Sequence, residues 1–335
     1  MPAPFRLGLL TLGVLVALVA VVGCSGSDGG DASTTPVDAQ AVNPYADHAG
    51  YPDPNSHTAQ AVEQATADGD TDAEAVFTRL AGIPQGIWLT PEEYPAGQVG
   101  PFVSGIVAAA DDADEVPTFV VYGIPDRDCS GGFSGGGLPA DQYLAWVGEI
   151  AAAAGAGDRA VAILEPDAVA TALECDRIDE RIRLIGDAVD ELKKQNVTTY
   201  VDGGHSNWIA PADLADLLEQ VGVRDVRGFA TNVSNFQTDQ DEQSYAEQLS
   251  AILGGAHYVI DSGRNGVGAT DDWCNPPGRA FGTEPVAAGE NDPEHQDAYL
   301  WVKPPGESDG ECGSGPPAGD FWTERALEMA ATSGW

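Results

Sequence analysis

The sequence predicts an α/β fold, a distorted β/α barrel of about seven parallel strands whose functional face lies at the C-terminal strand ends. Three observations carry that prediction. Short apolar segments recur roughly every 30 to 40 residues, each bounded by polar, Gly or Pro residues. Stretches with helical spacing separate them, and strand alternating with helix implies a parallel sheet. Polar groups come directly after one strand after another, and in a parallel barrel all those ends share one face.

Taken in order, the strand segments are Gly86 to Leu89, Thr118 to Tyr122, Ala160 to Leu164, Thr198 to Val201, Gly228 to Ala230, His257 to Ile260 and Ala298 to Val302. Helical stretches run over Ala140 to Ala154, Arg177 to Lys194, Pro211 to Val221 and Asp241 to Leu253. In the second of these, Ile178, Ile182, Ile185, Val189 and Leu192 fall on one face. Asp68-Gly69-Asp70-Thr71-Asp72 lacks the later Gly and Glu of a calcium loop and reads as a helix start. Ala168 to Leu173 also looks helical. About seven units in this length suit a closed or nearly closed barrel better than an open sheet.

Composition narrows the function. The 335 residues carry 53 Asp plus Glu against 15 Lys plus Arg, a formal charge of −38. Counterion release requires clustered cations, and the only lysines are Lys193, Lys194 and Lys303, so nucleic acid and anionic membrane surfaces are poor partners. Hydrophobic residues at 43% allow a large core.

Leu7 to Gly23 is an apolar run after Arg6, and small residues lead into Cys24. That pattern resembles a bacterial lipobox: a signal peptide over 1–23, lipidation of Cys24 as a membrane anchor, and a flexible tether over 24–42. The alternative is a retained transmembrane anchor at the short limit of a span. Either way the barrel domain, 43–335, is exported and reaches an oxidising compartment. Cys129, Cys175, Cys274 and Cys312 then allow three pairings, of which sequential pairing closes two moderate loops and is the expected one. No cysteine spacing suits zinc, and His48, His57, His257 and His295 show no metal spacing, so no metal or cofactor is expected and each of these histidines reads as structural.

Chemistry-bearing residues gather just past the strand ends. Asp128 comes after the second strand, Glu165-Pro166-Asp167 after the third, Asp202-Gly203-Gly204-His205 after the fourth, Asn232 after the fifth, Asp261-Ser262-Gly263-Arg264 after the sixth and Lys303 after the last. Taken singly, Asp167 could cap a helix, Asp128 could pair with Arg127, and Asp309 could sit in a solvated turn. Together, three carboxylates on three strand-end loops with Trp88, Trp208 and Trp273 suggest a sugar site. Glycoside hydrolysis uses one protonated carboxyl and a second group that activates water. Gly131 to Gly137 lacks the Lys-Ser/Thr of a phosphate loop, and no nucleophile elbow or zinc-binding His-Glu-x-x-His is present. That glycine run reads as a mobile loop beside Asp128.

Val121-Tyr122-Gly123-Ile124-Pro125-Asp126-Arg127-Asp128-Cys129 and Ile163-Leu164-Glu165-Pro166-Asp167 resemble the two signature segments of glycoside hydrolase family 6. Asp202 to Trp208, Gly228 to Asn235, Asp261 to Gly266, Asp272 to Asn275 and Trp301 to Pro304 also resemble it, in family order. The resemblance implies an inverting cellulase in which Asp167 is the proton donor, Asp128 the carboxylate that raises its pKa, and Asp309 the base. It implies roles in binding β-1,4-glucan or cello-oligosaccharide for Trp88, Tyr122, Ser134, His205, Trp208, Asn232, Trp273, Lys303 and Glu307, and it agrees with sequential disulfide pairing. Inversion implies acid and base carboxyls roughly 6.5 to 9.5 Å apart. Pro211 stands where cellobiohydrolases of the family carry a further Trp, and the Cys274 to Cys312 segment is short for enclosing loops. Both features favour an endoglucanase over a cellobiohydrolase. A non-catalytic glucan-binding lipoprotein is the alternative from another class, and a monomer is expected.

Overall fold

The computed structural model describes residues 37–129, 132 and 134–335. The expected leader, Cys24 and the tether up to residue 36 lie outside these residues.

In chain order the elements are α1 (His57–Asp68), α2 (Thr71–Ala81), β1 (Ile87–Leu89), α3 (Val99–Ala113), β2 (Thr118–Val121), α4 (Ala140–Ala154), β3 (Val161–Leu164) and α5 (Ile178–Lys194). They continue with β4 (Thr198–Asp202), α6 (Pro211–Gln220), β5 (Gly228–Thr231), α7 (Asp239–Ile252), β6 (His257–Asp261), β7 (Val286–Ala287), β8 (Gln296–Leu300) and α8 (Thr323–Thr332). The sheet runs β1-β2-β3-β4-β5-β6-β8-β7, parallel throughout except for the antiparallel β7. All seven expected parallel strands are present, in a curled, mostly parallel eight-stranded sheet. Asp70 caps α2 through the Ala73 amide, as the sequence suggested.

Each strand alternates faces with period two. Val120, Val161, Ile163, Tyr200, Ala230, Val259, Ala298 and Leu300 point into the curl and pack with Tyr45 and Val302. Phe119, Val121, Ala162, Leu164, Val201, Phe229, Tyr258 and Ile260 point outward onto the helices. Both faces being covered explains why the strands read as continuous apolar runs.

The curl closes at one narrow seam. The Gly86 amide donates to the Trp301 carbonyl at 2.8 Å, and the Trp88 indole N–H donates to the Val302 carbonyl at 2.9 Å. A Cβ at Gly86 would sit 2.2 Å from the Val302 oxygen, so only glycine lets β1 approach so closely.

Residues 37–42, expected to belong to the tether, make contacts with the rest of the chain. The Gln40 side chain accepts from the Thr199 and Arg227 amides and donates to the Val197 carbonyl, and the Ala39 amide donates to Asn196. These contacts hold 37–42 against the N-terminal ends of β4 and β5. Both disulfides form as expected, Cys129 with Cys175 and Cys274 with Cys312. Each ties a strand-end loop to a segment distant in sequence.

Candidate active site

A cleft of about 600 Å3 opens at the C-terminal strand ends, and Asp128, Asp167 and Asp309 all line it. The three loops that carry them are positioned by a second set of carboxylates buried beneath. Glu165, directly after β3, accepts from the Gly123 and Ile124 amides at the end of β2, at 3.0 and 3.2 Å. Asp202, ending β4, accepts from the Asp167 amide at 2.9 Å and from the Gly204 amide at 3.1 Å. Asp261, ending β6, accepts from the amides of Ser234, Gly263, Val302 and Lys303. Each satisfies backbone donors that the strand ends would otherwise leave unpaired. Asp128 and Asp167 sit at φ 59° and 66°, left-handed conformations that aspartate tolerates better than most residues.

Asp309 is neither solvated nor in a free turn. Its Oδ1 accepts from Arg264 Nη1 at 2.7 Å, and its Oδ2 accepts from the Asn275 amide at 2.9 Å. Asn275 Oδ1 in turn accepts from the Asp309 amide at 2.8 Å, so the loop is locked from both sides. Asp128 does not pair with Arg127 either. Arg127 binds Glu92 at 2.9 Å, while Asp128 Oδ2 accepts from the Ser134 amide at 2.7 Å.

The half-buried Asp167 is surrounded by like charge. Burial raises its pKa most, followed by the negative charges of Asp202, Asp128 and Asp309. Asp202 is itself pushed up to about 7, chiefly by burial, against the lowering effect of the Asp167 and Gly204 amides. Repulsion expected from Asp128 is therefore present, but burial and Asp202 both exceed it. Asp167 does not cap a helix: residues 167–176 form a run of turns rather than the helix expected over Ala168 to Leu173. This geometry sets a carboxyl whose surroundings favour its protonated form and an ion-paired carboxylate on one cleft.

The Glycosyl hydrolases family 6 model matches residues 45–333. The chain belongs to this family. It is 40% identical over 288 residues to endoglucanase A of Cellulomonas fimi, covering 85% of this chain and 61% of that enzyme. It is 34% identical over 291 residues to endoglucanase 1 of Streptomyces halstedii, covering 83% and 87% respectively. Among solved structures it is similar to the endoglucanase Cel6 of Mycobacterium tuberculosis in complex with methyl-cellobiosyl-4-deoxy-4-thio-β-D-cellobioside. That match has a TM-score of 0.82 and 40% identity, and covers 88% of this chain and 100% of the other. The chain thus spans about three fifths of the Cellulomonas relative.

In this family 6 chain the cleft gathers most of the sequence-predicted binding residues. Trp88, Tyr122, Ser134, Trp273, Lys303 and Glu307 line it with the three aspartates. Tyr122 packs edge-on against Trp88, centroids 5.2 Å apart. Trp273, 53% exposed, stands on the same cleft. His205 and Trp208 form a separate ledge after β4: their rings lie 5.5 Å apart, and Trp208 donates to Glu174. Burial lowers the His205 pKa to about 4, so its ring is neutral near pH 7.

Asn232 is a correction. It is fully buried, its amide donating to the Gln237 and Asp261 carbonyls and its oxygen accepting from the Gln237 amide. A strand-end Asn resembles a ligand in sequence, yet this one closes the turn that brings Ser234 and Asn235 into the cleft. Sequence reasoning assigned no role to Asp202, Arg264 or Asn275. Asp202 and Arg264 stood in the strand-end pattern, and that was their available signal. His57, read as structural, also lines the cleft.

Proposed function

We propose that this protein is an inverting endo-β-1,4-glucanase acting on cellulose or related β-1,4-glucans. The observation that carries the reading is Asp167, raised in pKa by burial and by Asp202, in the same cleft as the Arg264-paired Asp309. Asp167 gives its proton to the glycosidic oxygen as the C–O bond breaks. Water bonds to the anomeric carbon from the opposite face, and its proton passes to Asp309, directly or through a second water. Trp88 and Trp273 stack on sugar faces, Tyr122 and Ser134 contact the reacting ring and its water, and Lys303 and Glu307 bind hydroxyls. Pro211 and the short Cys274 to Cys312 segment suit an open cleft and internal cutting. The endoglucanases among its relatives point the same way.

Residues 43–335 form the catalytic domain in this reading, exported and anchored through lipidated Cys24. Two disulfides suit an oxidising compartment. Proton NMR of cellopentaose hydrolysis, read before mutarotation, tests the mechanism. New α-anomer at the cut is expected. New β-anomer, or no cleavage of neutral cello-oligomers, overturns the proposal.

A further inference from the structure

His57, the first residue of α1, has a task that its sequence context does not reveal. Its Nδ1 lies 3.0 Å from the Gly319 carbonyl and 3.3 Å from Glu307 Oε1. A carbonyl only accepts, so Nδ1 carries a hydrogen and donates between two acceptors. The other Glu307 oxygen accepts from Lys303 Nζ at 3.0 Å, and that ammonium stands 5.3 Å from the Trp88 ring centroid. His57, Trp88, Lys303 and Glu307 come from three distant parts of the chain, and all four line the cleft.

We propose that His57 is a positioning residue for glycan binding: with Lys303 it clamps the Glu307 carboxylate from both sides, so that the remaining lone pairs face a sugar hydroxyl beside Trp88. The inference rests on the glucan-hydrolase reading above. A carboxylate free to rotate on this floor would lose that aim, and a sugar hydroxyl gains most from an acceptor held still and ionised.

The charges agree with the geometry. Burial alone would raise the Glu307 pKa, but Lys303 and His57 outweigh it and the net shift is downward. His57 is pushed up to about 9, first by its bond to Glu307 and with help from Glu93 on the loop after β1. Asp53, ahead of α1, and Asp320, beside Gly319, add negative charge to the same cleft. The imidazolium therefore persists through neutrality and is lost as pH rises past about 9. Above that pH Glu307 keeps Lys303 alone.

His57→Gln keeps a donor of similar reach and removes the charge; His57→Ala removes both. With a neutral cello-oligosaccharide at pH 7, His57→Gln should raise KM about 5- to 10-fold with kcat within about twofold of wild type. Wild-type KM should climb between pH 8 and 10, whereas that of His57→Gln should stay flat. A variant that keeps the wild-type KM, or keeps its pH dependence, overturns the proposal. The imidazole's own titration, followed by NMR in a protein labelled at histidine, does not depend on turnover. A wild-type midpoint near 9 that falls toward 6.5 in Glu307→Gln supports the clamp, and an ordinary midpoint in the wild type overturns it. Wild type that cleaves no glucan would defeat the function alone, since the titration still decides whether His57 holds Glu307.

Discussion

Asp297 and Asp202 lie at opposite ends of one barrel, 2% and 1% exposed, and their surroundings push them in opposite directions. Asp297, at the N-terminal end, receives two hydrogen bonds of 2.7 Å from Arg227 and one of 2.6 Å from Tyr200. Burial would raise its pKa, but Arg227 first, then His257 at 3.2 Å and Tyr200, outweigh burial and lower it. Asp202, at the C-terminal end, meets backbone amides and other carboxylates, with no cation against it among the described residues, and rises to about 7. Both are almost wholly shielded from solvent, and the cationic partner present at one and absent at the other among the described residues gives the shifts opposite signs. One end of the barrel uses its buried charge to hold the chain, and the other concentrates like charge, which is where the proposed mechanism needs a proton kept.

The largest effect is expected at the cleft end. Asp167→Asn removes the proposed proton donor and should lower kcat on cello-oligosaccharides by about 100- to 10,000-fold. Thermal stability should stay at or above that of wild type, because a repelled carboxyl has been neutralised. A variant with wild-type kcat would remove Asp167 from the chemistry.

At the other end the effect should fall on stability instead. Asp297→Ala leaves Arg227 buried and uncompensated, at a cost of about 3 to 5 kcal/mol in denaturant unfolding. Turnover of the remaining folded enzyme should be unchanged. Because the folded pKa of Asp297 is depressed, its contribution is present above the unfolded value, about 3.9, and is lost as pH falls through the folded pKa. Wild type and variant should therefore converge in stability in strong acid. Equal unfolding midpoints at pH 7 would show that the network holds nothing.

The same contrast explains what could be read from sequence. The inner strands are covered on both faces, so their residues form unbroken apolar runs that no surface helix would show. β7 has two residues, and the sheet gives it no such run. α1 carries a weak sequence signal because its apolar residues are Ala and one Val, and α3 because Gly100, Pro101 and Gly105 obscure its stripe. At the site, Asp128, Asp167 and Asp309 were visible because each comes after a strand in a loop rich in Pro or Gly. Neither Asp202's part in raising Asp167 nor the His57 clamp could be read this way. Both depend on which loops meet in space, and His57 reaches Glu307 from the opposite end of the chain. Asn232 shows the converse error, a polar strand-end residue whose partners turn out to be backbone.

The finest test of the comparison is Asp202→Asn, which turns the cleft end one step toward neutrality without emptying it. Asp202 Oδ2 accepts from the Asp167 and Gly204 amides, while Oδ1 is buried with no hydrogen-bond partner among the described residues. An asparagine can keep its oxygen at the first position and place its amide at the second, so the loop carrying Asp167 should hold its place. What changes is the charge. Asp202 is the first of the negative charges that hold the Asp167 pKa up, and in the proposed mechanism the proton so retained is the one catalysis uses. Removing the negative neighbour lowers the Asp167 pKa, so the proton leaves at lower pH and the alkaline limb of kcat should move down by about 1 pH unit. The stability change has its own sign: carboxyls raised above their unfolded values cost stability as pH climbs between the two, so the variant should gain at pH 7 relative to wild type. A limb that stays in place while stability rises would leave burial, with Asp128 and Asp309, to hold the Asp167 proton, and Asp202 would drop out of the contrast between the two barrel ends.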